Sequence, residues 1–226
     1  MSASIEMLSE TLNPKRRAIL AAAADLFMAE SFDAVSMDAV ARVAGVSKAT
    51  LYAHFSGKDQ LFEAIVAEGC AQMRAHADAL LSDRDIPLRQ ALEELGLHWL
   101  RFMLRPQARA LHRVMIAESV RFPELARAFY QAGPLAMQRW LTEWLAAQRD
   151  RGRLPEGADV ALAAEQFLSL LRGDLFVRAK LGLVPPEEEA ALPALAARAA
   201  AALLILHGMV NERADGFARN PASARE

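Results

Sequence analysis

One cysteine, Cys70, stands in a chain of 226 residues. A lone thiol forms no intramolecular disulfide and no multi-cysteine zinc site. Val66 and Met73 share its helical face, which makes Cys70 read as a buried core position rather than a redox sensor. Charge of one sign is also missing. The formal net charge is −2, and residues 1–60 hold six Lys/Arg against seven Asp/Glu, so no basic domain announces nucleic acid. The histidines, His54, His76, His98, His112 and His207, are dispersed, and none makes a metal-spacing pair. Neither a G-x-S-x-G elbow nor a P-loop occurs, so no enzyme, metal or cofactor is expected. The N-terminus lacks a basic stretch followed by an apolar run. The most hydrophobic segment, 190–210, is interrupted by Pro193, Arg198 and His207, and its charge-free part, 199–211, is too short for a bilayer. The expectation is a soluble, cytoplasmic protein with no membrane partner. Period-two alternation and β-branched runs are sparse. With 54% hydrophobic residues and abundant alanine, the chain reads as all-α.

The stretch 36–55, SMDAVARVAGVSKATLYAHF, organises what is there. Met37, Val40, Ala41 and Ala44 recur at offsets of three and four and make one buried stripe. Gly45 supplies a turn that tolerates positive φ, and Ser47 is placed to cap a second short helix near Thr50. That helix puts Leu51 and Phe55 inward and leaves Lys48, Thr50, Tyr52 and His54 elsewhere. A small helix with a cationic, hydroxyl-bearing and aromatic outer face fits a DNA major groove, so the pattern is a helix-turn-helix. Upstream, Asn13-Pro14 opens a helix whose first turn holds Lys15, Arg16 and Arg17. Cations there are unfavourable by roughly a few tenths of a kcal/mol each, a cost that contact with DNA phosphates would offset.

Downstream, Ser56-Gly57-Lys58-Asp59 reads as a capping box opening a helix that runs to about residue 81, roughly 35 Å at 1.5 Å per residue. It links the helix-turn-helix to the rest of the chain. Further helices are expected at 88–104, 108–120, 125–151 with a bend at Gly133-Pro134, 158–181 and 187–211, about nine in all. Residues 1–12 and 213–226 read as flexible ends, and 82–87 as a charged break.

The run from Val46 to Phe62 resembles the TetR family of bacterial repressors. It matches every fixed position of that family's V-S-x-x-T-L-Y-x-[HY]-F-x-x-K-x-x-L-F signature. Residues 113–183 look like the C-terminal region of AefR-like members. The resemblance implies a three-helix DNA-binding domain at 13–73 and a helical ligand-binding and dimerisation domain at 74–212. By the same implication Ser36, Ser47, Lys48, Ala49, Thr50, Tyr52, His54 and Lys58 touch double-stranded DNA at a palindromic operator. Ala49 and Ala53 depart from commoner family residues, which leaves the bases read open. A small-molecule effector and a homodimer are implied as partners. The small-residue faces Ala161, Ala164, Leu168, Leu171 and Leu195, Ala199, Ala202, Leu203, Leu206 are candidates for the dimer contact.

Aromatic and methionine side chains offer a mostly apolar effector pocket: Trp99, Phe102, Met103, Met115, Phe129, Tyr130, Met137, Trp140, Trp144, Phe167 and Phe176. His112 and Glu118 are the polar groups to orient a ligand, while Arg172 and Asp174 read as paired or solvated. The expected function is a repressor released by a hydrophobic effector. A helical binding or interaction module without DNA binding, or an activator of the same fold, are the alternatives.

Overall fold

A computed structural model describes residues 13–30, 32–81 and 86–208. The expectations for residues 1–12, Ser31, 82–85 and 209–226, including the last helical turn to Asn211, lie outside the described residues. Helix α1 (Pro14–Ala29) starts where Asn13 Oδ1 accepts the Lys15 N–H at 2.9 Å and Pro14 forfeits a donor no helix start could use. Ile19, Ala23 and Phe27 form its buried stripe. Ser36 Oγ caps α2 (Met37–Val43) through the Ala39 N–H. Gly45, at φ 66°, then closes a Schellman turn: the Val46 N–H reaches Ala41 O at 3.0 Å and the Gly45 N–H reaches Arg42 O at 3.3 Å. Ser47 Oγ accepts the Thr50 N–H and opens α3 (Lys48–His54).

Helix α4 (Lys58–Leu81) comes next. Gln60, not the expected Asp59, closes its cap, its Oε1 accepting the Ser56 N–H at 2.7 Å. Then come α5 (Leu88–Leu104) and α6 (Pro106–Glu118). The latter begins two residues earlier than expected because Pro106 fits a first helical turn rather than stopping one. Helix α7 (Pro123–Tyr130) runs through a π turn (Gln131–Leu135) into α8 (Ala136–Asp150). The π turn accommodates the N–H that Pro134 lacks, and it falls at the pair where the sequence suggests a bend. Gly133 faces Val66 there; a Cβ would sit 3.2 Å from Val66 Cγ1. Helices α9 (Val160–Lys180) and α10 (Leu192–Leu206) close the chain, with a 3-10 turn (Pro186–Ala191) before the last. With α7 and α8 continuous, the described residues make nine helical rods.

Two cores share α4. Leu61, Phe62, Val66 and Cys70 join α1–α3 in one, together with Leu111, Met115 and Leu125 from α6 and α7. Met73 and Ala77 join α5 and α8–α10 in the other. The small-residue faces expected at a dimer contact are partly spent inside the subunit: Ala164, Leu168, Leu171, Ala199 and Leu203 are buried against the chain's own core. Outward, α9 and α10 present Leu162, Val177, Ile205 and Leu206, with Leu181 just past α9. Two helices crossing a third need their inner faces for that third, and α10 lies along α5.

Gly173 breaks the regularity of α9 at φ 38° and ψ −147°, a conformation nearly reserved for glycine. Gly173→Ala is therefore expected to lower the unfolding free energy by about 1–3 kcal/mol, read from urea denaturation. Unchanged stability would contradict the kink.

Candidate nucleic-acid interface and effector cavity

Leu51 is the buried anchor of α3, and its outer surface consists of Lys48, Ala49, Tyr52 and Ala53, all exposed, flanked by half-buried Thr50 and His54. Tyr52 is 52% exposed, an aromatic held in solvent. The Ser47 and Thr50 hydroxyls lie 2.9 Å apart at the helix start. Lys48 Nζ contacts Asp38 Oδ2 of α2 at 2.6 Å, with both side chains mostly exposed, and this hydrogen bond raises the lysine pKa. Such a pair is weak in water, so an anion arriving at the surface can replace Asp38. At the start of α1, Lys15 is exposed, while Arg16 and Arg17 are half-buried. The Arg16 guanidinium lies 5.3 Å from the Phe55 ring centre, so it tethers α1 to the end of α3.

Lys58 departs from expectation. Its ammonium donates to the carbonyls of Phe32, Asp33 and Val35 at 2.9, 3.0 and 3.3 Å and lies 4.9 Å from the Phe32 ring centre. All three of its donors are thus spent on the loop between α1 and α2. It closes that loop rather than facing outward.

A cavity of about 730 Å³ lies where α1, α4, α5, α6, the α7–α8 rod and α9 converge. It brings together Trp99, Phe102, Met103, His112, Met115, Phe129, Tyr130, Met137 and Phe176. Four sequence candidates are elsewhere. Glu118 is buried beside Arg121, 3.5 Å away. Trp140 donates from Nε1 to Asp78 at 3.2 Å. Trp144 packs against the C-terminal core, and Phe167 is buried under Gly96. Helical spacing put all four on plausible faces, but those faces meet neighbouring helices and not the cavity.

Arg172 is a correction in the other direction: it borders the cavity, 5.9 Å from the Trp99 ring centre, whereas Asp174 pairs with Arg178 at 2.6 Å. Lys180 borders it too and went unnoticed in the sequence, although Arg172, Phe176 and Lys180 recur every four residues. The Cys70 thiol lines the wall from α4, and burial pushes its pKa up to about 11, a protonated and unreactive thiol.

His112 sits at the centre of the polar part. Its Nδ1–H donates to Ala108 O at 2.9 Å, which leaves Nε2 as an acceptor. Burial lowers its pKa, with Lys180 and Arg172 adding to the effect. The neutral ring is held edge-to-face by Phe129 and Phe176, at 5.0 and 5.5 Å. The arrangement offers two aromatic faces and one hydrogen-bond acceptor to the cavity. Among the described residues no His/Cys/Asp/Glu group is arranged to hold a metal.

Comparisons with known proteins agree with this geometry. Residues 19–65 match the family described as bacterial regulatory proteins, tetR family, and residues 90–207 match the AefR-like transcriptional repressor C-terminal domain. The HTH-type transcriptional regulator SrpR of Pseudomonas putida is 25% identical over 162 residues, 71% of this chain and 73% of that protein. A TetR-family transcriptional regulator from Mesorhizobium loti superposes with a TM-score of 0.74 at 28% identity, covering 85% of this chain and 96% of that one. The flavonoid-responsive regulator FrrA does so at 0.65 and 36% identity, with the same coverage.

Lys58→Met should cost about 1–3 kcal/mol of stability, since it removes hydrogen bonds from a charged donor. Chemical denaturation reads this directly. A variant as stable as the parent would show that the ammonium does not hold the loop.

Proposed function

The chain belongs to the TetR family of bacterial regulatory proteins, and from that premise we propose a homodimeric repressor that a small, largely hydrophobic effector releases from a palindromic operator. It is a helix-turn-helix transcriptional regulator, as its relatives are. The proposal adds the sign of regulation, the dimer and the ligand. The observation that carries it is the cavity, which borrows part of its wall from α4 while the head of α4 packs against α1 and α3's supporting core.

Residues 13–73 bind DNA in this reading, and 74–212 hold the effector and the partner subunit. Each α3 enters a major groove. Lys48 and Thr50 face base edges, with Ser47 and Ala49 at the close approach of the helix start. Tyr52 and His54 hydrogen-bond phosphates, as do Lys15, Arg16 and Arg17 at the head of α1 and Ser36 at the head of α2. Lys58 acts through the loop it closes. The exposed apolar side chains of α9 and α10, Leu162, Val177, Leu181, Ile205 and Leu206, pair with their copies around a two-fold axis. Two reading heads so related need half-sites about one helical turn, roughly 34–36 Å, apart. The chain then works in the cytoplasm, where its operator is.

Coupling runs through α4 and through the corner between α6 and α7. Phe122 packs edge-on against Phe32 at 5.4 Å, and Arg121 bonds Asp33 at 3.1 Å. Helix α6 supplies His112 and Met115 to the cavity at one end and this corner to the DNA-binding core at the other. An effector that fits one arrangement of α4 and α6 better than the other shifts the separation of the reading heads; only such differential affinity can do so. The aromatic lining suits a flat effector, in keeping with the name of the flavonoid-responsive FrrA.

On operator fragments selected from genomic DNA, Tyr52→Phe is expected to weaken binding about tenfold, the share of one hydrogen bond to a charged phosphate. Sedimentation should show an unchanged dimer. Equal affinity would remove Tyr52 from the interface, and a monomeric parent chain would overturn the dimer.

A further inference from the structure

The cavity is apolar along most of its wall, but its α9 side carries charge. Arg172 and Lys180 both border it. Each lies over an aromatic face: the guanidinium over Trp99, and the Lys180 ammonium 4.0 Å from the Phe176 ring centre. Among the described residues neither meets a carboxylate within 4.0 Å. Burial lowers the pKa of both, and Arg172 lowers that of Lys180 further. The cavity's acids, Asp25 and Glu68, belong to α1 and α4 instead, and Glu68 already accepts from Gln72 at 3.2 Å. Two half-buried cations on one cavity wall disfavour each other's charge unless an opposite charge joins them. Aromatic faces offset only part of that cost.

Resting on the reading of this cavity as the effector site, we propose that the effector is an aromatic anion. Its carboxylate, phenolate or comparable group sits between Arg172 and Lys180, and its ring lies among Trp99, Phe129 and Phe176. A hydroxyl on the same molecule donates to His112 Nε2, the acceptor that the Ala108 contact leaves free. The cations select charge, the aromatic walls select a flat body, and His112 fixes the ring's rotation.

Two probes with one skeleton test this: 1-anilinonaphthalene-8-sulfonate and its uncharged counterpart N-phenyl-1-naphthylamine, both fluorescent on entering apolar surroundings. The purified full chain is titrated with each, alongside Arg172→Gln and Lys180→Gln. The parent should bind the sulfonate about tenfold more tightly than the neutral probe, and the two should compete for one site. Each substitution should lower sulfonate affinity by about tenfold, as expected for one charge-assisted bond. Neutral-probe affinity should stay unchanged, which also certifies a folded cavity. If the neutral probe binds and the sulfonate has no advantage, or keeps its advantage in both variants, the anion site is overturned while the effector cavity stands. If neither probe enters the parent, the cavity reading fails and the proposal falls with it. Should a variant fail to fold, the parent alone decides: a sulfonate advantage below about twofold, which is under one hydrogen bond's worth, overturns the proposal.

Discussion

One helix belongs to two cores, and the rest of the structure depends on that. The first half of α4 is packed by Phe27 and Phe32 around Phe62, with ring centres 5.3 to 5.8 Å apart. Its second half places Met73 and Ala77 among α5 and α8–α10. Because packed interiors transmit strain instead of absorbing it, α4 cannot tilt in one core without disturbing the other. Lys58 fastens the head of the helix to the α1–α2 loop. Near its middle, a Cβ on Gly69 would sit 3.8 Å from the Phe102 ring, and Gly133 admits Val66. The cavity opens beside this middle section, with Ile65, Val66, Gly69, Cys70 and Gln72 of α4 in its wall.

The absence of a basic balance loses its force once the charges are placed. Lys15, Arg42 and Lys48 are exposed at the DNA-binding end, and Lys48 is held only by a solvent-exposed Asp38. A duplex presents a dense line of phosphates, so a few well-placed cations and helix starts serve where a high net charge does not exist. Within the cavity the charges are sorted by wall: the cations Arg172 and Lys180 stand on α9 and Arg105 between α5 and α6, the acids on α1 and α4, with aromatic and aliphatic surface between.

Local chemistry was the legible part. The helix start at Asn13, the cap at Ser47, the turn at Gly45 and the break in regular α-helix at Gly133-Pro134 are readable, because each is decided by a few neighbouring residues. The family followed from the run Val46–Phe62. What depends on long-range packing was not readable. Lys58 occupies a family position associated with DNA, yet its ammonium points at three carbonyls more than twenty residues away in sequence. The inward alanines and leucines of α9 and α10 cannot be told from outward ones by spacing, since both faces are apolar. Trp140, Trp144 and Phe167 repeat at helical intervals as well as Met137 does, but only tertiary structure separates a cavity wall from a helix contact. Arg172 looked like a surface cation because the kink at Gly173 carries no signal beyond one glycine.

The most direct test is binding of the purified full chain to the DNA flanking its own coding region, with footprinting, at low and at physiological salt. Two protected half-sites related by a dyad, with log affinity falling linearly as log salt rises, are the predicted result. Binding no tighter than to scrambled DNA at both salts, there and across selected genomic fragments, would contradict a DNA-reading α3 coupled through α4 to the cavity.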